Sequence, residues 1–430
     1  MKRNRVLPLC LGALCMAMPA VPQDGTAITL EDFIRASLAR NREVLALRQR
    51  VVQAEGLARQ AGVRPAPTVE AEGGGGRPVG NAGDTQFSAA FVQPVETFGK
   101  RKSRLSVAEA SVALAKAEVQ ERSLQLAYEI ETGYLSLVYE RERIAVFERL
   151  SESLRESRRL TDARVREGDA APLEAQLLAV EQSRADAQRG DAAGRLAVAE
   201  LQLRRLAGLT PAETLPAIVP RTLDKPPLPF EQLIARAKEK RADLRSARLL
   251  EQQGGAEIAL TKAQARPDVT FSARYGHSNS RLGNQYGFTA AGVLTPLKDQ
   301  FNTLSVGISV PLLTQRRSQG AIEAAAAGAA GARLQREYVE QSIPLEVQSA
   351  FERWSAAVRT RNVLHDDVLG QSNKNLAVIR EAYHLGQLRL LDVLTEQRRL
   401  TDTELSYLDA RAAADRAWTD LERATGGLLP

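Results

Sequence analysis

The chain has 430 residues, 26% of them charged and only 5% aromatic, with a formal net charge of +6. Few aromatics with much Ala, Leu, Glu, Gln and Arg favour long helices over a compact enzyme core. The basic excess is spread along the chain without a Lys/Arg block, which argues against a nucleic-acid-binding patch.

Residues 1–22 read as a signal peptide. Lys2, Arg3 and Arg5 form a positive start, Val6–Met18 is an apolar run too short to span a bilayer, and Ala20 offers a small residue for cleavage. Its removal takes away three positive charges and both cysteines, Cys10 and Cys15. The exported chain then has neither disulfide nor thiolate chemistry. A leucine precedes each cysteine, where lipid attachment needs Gly or Ala. No later stretch holds 18 consecutive apolar residues.

The remainder reads as two copies of one plan, residues 28–210 and 230–428. Leu30-Glu31-Asp32-Phe33-Ile34 aligns with Phe230-Glu231-Gln232-Leu233-Ile234, and Pro67 with Pro267. Pro94 then meets Pro311, Tyr134 meets Phe351, Gly168 meets Gly386, and Gly208 meets Gly426. The segment 211–229 holds six prolines, so it is a linker and not a continuous helix.

In each copy a helix of about 35 residues, Leu30 to Gly62 in the first, precedes two strands. A helix of about 67 residues follows, from Lys100 to Glu167, then a glycine turn and a helix of about 35 residues ending near Leu206. The long helix is about 100 Å and each short one about 50 Å, so two short helices stacked end to end match one long helix. Pro344 is expected to kink or break the second long helix. The Ala-rich run Ala321–Ala332 predicts close helix packing.

The strands alternate. Asp268–Tyr275 and Thr303–Val310 do so clearly, and Thr68–Glu72 and Phe87–Phe91 more weakly. Val69, Phe87, Phe91, Val269, Phe271, Tyr275, Leu304, Val306 and Ile308 are the expected outward residues. The connections Gly73–Thr85 and Gly276–Asn302 read as solvent loops. A soluble half-buried sheet gives the same alternation. In a membrane, four strands cannot close a barrel, so several chains must contribute.

These features resemble the TolC family of outer-membrane efflux proteins. The resemblance rests on the signal peptide, the duplicated plan, the tip Tyr383-x-x-Gly386 with Leu391-Asp392-Val393-Leu394, and the Leu-Gly ends of the copies. Gln93-Pro94-Val95-Glu96-Thr97-Phe98-Gly99-Lys100-Arg101 is similar to the cation-efflux (CzcC-like) branch. The resemblance implies a mainly α fold with a small β part: duplicated long helical hairpins plus four strands. It implies a homotrimer whose 12 strands form a barrel in outer-membrane lipid, continued by a periplasmic helical tunnel. Such a chain is a passive duct for a periplasmic adaptor and an inner-membrane transporter of RND type, here for heavy-metal cations. Ducts for drugs or for type I protein secretion share the fold. The alternative of another class is an exported periplasmic coiled-coil scaffold.

The resemblance also points to residues. Asp392 and its counterpart Glu174 match the tunnel constriction, where crowded carboxylates favour cations. Thr395 departs from the family's second aspartate. Gly168, Tyr383, Gly386 and Leu388 are expected adaptor contacts at the tips. No enzyme activity, cofactor or metal site is expected. There is no G-x-x-x-x-G-K-[ST], Gly73–Gly76 lacks the following Lys-Ser/Thr, and His277, His365 and His384 are scattered over a loop, a helix and a helix tip.

Overall fold

The computed structural model describes residues 28–75, 84–210, 212–219, 228–312 and 318–427. The proposed signal peptide lies outside the described residues, as do parts of the 211–229 linker and of the Gly73–Thr85 connection. The elements are β1 (Ile28–Thr29), α1 (Leu30–Arg40), α2 (Arg42–Ala61), β2 (Thr68–Gly75), β3 (Thr85–Val95), α3 (Lys100–Glu167) and α4 (Pro172–Ala207). There follow β4 (Ile218–Val219), α5 (Phe230–Lys240), α6 (Ala242–Gln264), β5 (Val269–Phe288), β6 (Leu294–Ser309) and α7 (Gln319–Val363). A π-helical turn (Leu364–Leu369), α8 (Gly370–His384) and α9 (Leu390–Ala424) complete the chain.

The chain divides into two compact units. One holds residues up to Asn41 together with Glu129–Asp224. Here the expected single opening helix is two helices. Asn41 adopts an extended backbone (φ −63°, ψ 121°) between α1 and α2. Its side-chain amide donates to the Leu206 carbonyl at 3.0 Å. Gly208, at φ +69°, closes α4 so near this break that a Cβ would lie 3.3 Å from the Arg40 and Asn41 backbone. The linker adds β4, which pairs in parallel with β1 and accepts a hydrogen bond from the Tyr134 hydroxyl at 3.0 Å. Buried Leu178, Ala185, Ala192 and Ala199 recur every seven residues on α4, a coiled-coil seam of mostly small side chains. Facing α3 contributes Ile130, Leu137 and Leu154, with Ser151 donating to Asp186 at 2.8 Å.

The other unit holds Arg42–Tyr128 and the chain from Lys225 onward. It repeats the break at Arg241 (φ −63°, ψ 127°), between α5 and α6. Gly426, at φ +90°, stands where Gly208 does in the first copy, and its hypothetical Cβ would be 2.8 Å from the Lys240 carbonyl carbon. The Arg241 guanidinium bridges Asp243 at 2.5 Å and Glu346 at 2.6 Å. Phe230, Phe351, Trp354 and Trp418 form a chain of rings with successive centroids 5.8 Å apart. Gly254 lets α6 approach α7, since a Cβ there would be 3.0 Å from the Ala329 Cα.

Helix α7 runs unbroken through Pro344, between fully buried Ile343 and Val347. The irregularity falls later, at the π turn. Before it the buried stripe includes Ile343, Val347 and Ala350; after it come Ser372 and Leu376. Continued in sevens, the first set predicts 371 and 375, so the stripe slips by one residue. The spacing between the copies also grows by one residue between the Tyr134/Phe351 and Gly168/Gly386 pairs. The π turn takes up that extra residue, whereas α3 is α-helical over its 68 residues.

The four long strands form one antiparallel sheet in the order β2-β3-β5-β6. Gly276–Asn302 is not a loop. Most of it is strand, and β5 and β6 extend as a hairpin joined only at 289–293. Its Gly, Asn and Ser residues weaken strand propensity, but pairing with β6, which resumes after a register shift between Arg281 and Tyr286, overrides that weakness. His277 therefore lies on a strand, with Nδ1 2.8 Å from Asn302 Oδ1.

Candidate functional site

Directly paired residues in an antiparallel sheet share a face. The register therefore sorts every strand residue. One face carries Val69, Phe91, Ala273 and Val306 in one row, and Ala71, Ala89, Tyr275 and Leu304 in the next. Gly73, Phe87, His277 and Asn302 follow toward the hairpin; Phe271 pairs Ile308, and Val95 pairs Val269, toward the helices. All nine expected outward residues lie on this face. Val306 and Leu304 are 84% and 80% exposed, so the chain alone leaves the apolar face uncovered.

The opposite face carries Thr68, Glu70, Glu72, Ser88, Ser272, Arg274 and Ser305, with Ala90, Val92, Pro94 and, nearer the hairpin, Phe301 among its apolar members. Arg274 donates to Ser88 Oγ at 3.0 Å and Glu70 Oε2 at 3.3 Å, and lies 3.5 Å from Glu72 Oε2. Sequence reading missed this network. Alternation separates the two faces, but only strand order shows that Arg274 reaches across β3 to β2.

The junction of sheet and helix uses the Gln93–Arg101 segment. Thr97 donates its amide to Asp268 at 3.1 Å and its hydroxyl to the Pro267 carbonyl at 2.6 Å, and Lys100 pairs Asp268 at 2.8 Å. Burial of Asp268 favours its protonated form, but Lys100 and the Thr97 amide outweigh this and hold the carboxyl below its ordinary value. Phe98 takes a left-handed φ of 54°, which costs a side chain about 1–2 kcal/mol. The Arg266 guanidinium lies over its ring at 4.9 Å. Arg104 donates to the Ala61 and Val63 carbonyls and pairs with Glu96, tying the end of α2 to α3.

The two tips are built alike. Gly168 (φ +84°) and Gly386 (φ +74°) end α3 and α8, and among the described residues nothing lies within 4 Å of a hypothetical Cβ at either. Asp169 and Gln387 each donate back to the carbonyl five residues earlier, at 2.9 Å, as in a Schellman cap. Leu388 is exposed and Tyr383 half-buried. Asp392 is exposed, and its carboxylate accepts the Arg389 amide at 3.0 Å, capping α9. Glu174 occupies the same turn of α4 and is half-buried. His365 lies in the π turn, with Nδ1 2.7 Å from Asp366 and its ring beside Tyr407. Among the described residues no three His, Cys, Asp or Glu side chains cluster as metal ligands.

An uncovered two-faced sheet continued by long paired helices is the architecture of outer-membrane channel proteins. The chain belongs to the outer membrane efflux protein family, whose profile matches residues 33–209 and 233–427. It is thus a protein of the outer membrane that extends into the periplasm. It is 22% identical to the cobalt-zinc-cadmium resistance protein CzcC of Cupriavidus metallidurans, over 95% of this chain and 93% of that one. It is 20% identical to the outer membrane efflux protein BepC of Brucella suis, over 76% and 68% of the two chains. A crystal structure of CusC superposes with a TM-score of 0.76 at 18% identity, covering 94% of this chain and 93% of that one.

Proposed function

We propose that the mature chain is one protomer of a homotrimeric duct, the outer-membrane exit of a tripartite efflux pump. Residues 1–22 direct its export, and 28–210 and 230–428, joined by the 211–229 linker, are its two copies. The observation that carries this reading is the sheet with one apolar and one polar face. Three copies of four strands close a 12-stranded barrel, putting the apolar face against lipid and the polar face around water. From Val269 to His277 the strand advances about 27 Å at about 3.4 Å per residue. At a barrel tilt of about 40° that is about 20 Å of membrane thickness, close to the usual apolar band of about 25 Å.

In this reading the glycine tips Gly168 and Gly386, with Tyr383 and Leu388, face a periplasmic adaptor coupled to an RND-type inner-membrane transporter. The openness around both glycines supports it. Asp392 and Glu174 lie beside the tips and form the constriction. The cargo is heavy-metal cations, supported by the similarity to a cobalt-zinc-cadmium resistance protein along nearly the whole chain. The duct conducts passively, without cofactor or catalysis.

Protein extracted from outer membranes is expected to migrate as a trimer until heated and to form channels in planar bilayers. A soluble monomer released without detergent would refute the duct. Deleting the gene is expected to sensitise cells to zinc, cobalt or cadmium. Sensitivity to drugs alone, with metal tolerance unchanged, would refute the cargo.

A further inference from the structure

We propose that Arg274 sets the ion selectivity of the barrel by neutralising one of two lumenal carboxylates in each chain. The assignment rests on the duct reading above, which makes the polar face of the sheet the lumen wall.

Three charged side chains lie on that face within the apolar band: Glu70 and Glu72 on β2 and Arg274 on β5. Strand β3 separates the two elements. Its Ala90 stands in direct register with both Glu70 and Arg274. Adjacent strands are about 4.8 Å apart, so Arg274 must reach over a span of about 10 Å. It does so because the intervening residue is alanine, which is only 3% exposed. Ser88, in register with Glu72, accepts a further hydrogen bond from the guanidinium at 3.0 Å. The arginine is thus held flat against the wall, with its charge fixed beside the two carboxylates.

Each chain then carries a net charge of −1 at this level, and a trimer repeats it three times. Such a wall favours cations moderately and does not trap them. Replacing Arg274 by a neutral residue leaves both carboxylates uncompensated. Three charges about 10 Å from the axis, screened at physiological salt, change the cation-to-anion permeability ratio about threefold.

The test uses the full-length mature trimer in planar bilayers, with reversal potentials measured across a KCl gradient. Arg274→Gln is expected to raise the potassium-to-chloride permeability ratio about threefold. Glu70→Gln combined with Glu72→Gln is expected to lower it, reversing the sign of the effect. Arg274→Lys, which keeps the charge and loses the planar fork, is expected to stay near the parental ratio. Conducting trimers of the Gln variants with an unchanged ratio would overturn the assignment of Arg274 while leaving the duct intact. An equal change in Arg274→Lys and Arg274→Gln would show that packing, and not charge, is responsible, and would also overturn it. Failure of the parental protein to form channels would refute the duct itself.

Discussion

Gly426→Ala tests the joint between the end of α9 and the break before α6. At φ +90° an alanine is strained whatever the space, at a cost of about 1 kcal/mol. Its Cβ would also lie 2.8 Å from the Lys240 carbonyl carbon and 2.9 Å from the Arg241 nitrogen. Both are backbone atoms and cannot rotate away, so one segment must shift, adding about 2 kcal/mol. Gly386→Ala is the matched control. Its φ of +74° carries the same strain, but none of the described residues lies within 4 Å of the new Cβ. At about 2 °C per kcal/mol, Gly426→Ala lowers the helix-melting midpoint by about 6 °C and Gly386→Ala by about 2 °C. Circular dichroism of the detergent-extracted protein reads both. Equal midpoints for the two variants would refute the packed joint.

Gly254→Val is expected to cost about 1–3 kcal/mol by forcing α6 away from Ala329, and chemical denaturation would show it as a lower midpoint. Burial, then the hydrogen bond to Asp420, pushes Tyr128 up to about 12. The neutral phenol is therefore favoured in the fold, and its stabilisation is complete below about pH 10 and lost as pH rises through about 12. In Tyr128→Phe the alkaline decline of the melting midpoint should be shallower. The hydrogen bond from Arg122, at 2.8 Å, holds the Glu43 carboxyl below its ordinary value. Its contribution is present above the unfolded pKa and disappears as pH falls through the lower folded value, so Arg122→Gln should flatten the acid limb of the same profile. Asp392→Ala is expected to raise single-channel conductance in planar bilayers; unchanged conductance and selectivity would remove Asp392 from the constriction.

Where glycine and proline punctuate the chain, elements could be read from it. Lys100 to Glu167 is legible because Gly99 and Gly168 bracket a run rich in helix formers, in which Gly133 is the one glycine and there is no proline. The breaks at Asn41 and Arg241 carry no such mark. One extended residue between two helices comes from tertiary packing, with Gly208 and Gly426 pressed against it from the far end of each copy. Pro344 marks no break, because close packing by Ile343 and Val347 keeps α7 continuous where propensity alone would end it. Among the strands, parity alone assigned the apolar residues to one side. It could not show that Gly276–Asn302 continues as a hairpin, or that Ala90 leaves a gap for Arg274. Those facts depend on which strands are neighbours.

The π turn at Leu364–Leu369 bears on how this helix can be shortened. An extra residue in an ordinary helix turns everything beyond it by about 100°. Here the wide turn takes up that rotation locally, so Ser372 and Leu376 still face inward although they are one place late. Removing one residue from the segment would regularise the hydrogen bonding and erase the slip in numbering. A shortened helix of this kind should therefore keep its tip, Gly386 included, in the present orientation. Removing a residue downstream of the turn would instead swing the tip's contact face away from its neighbours. The site of an indel, more than its size, decides whether the hairpin tolerates it.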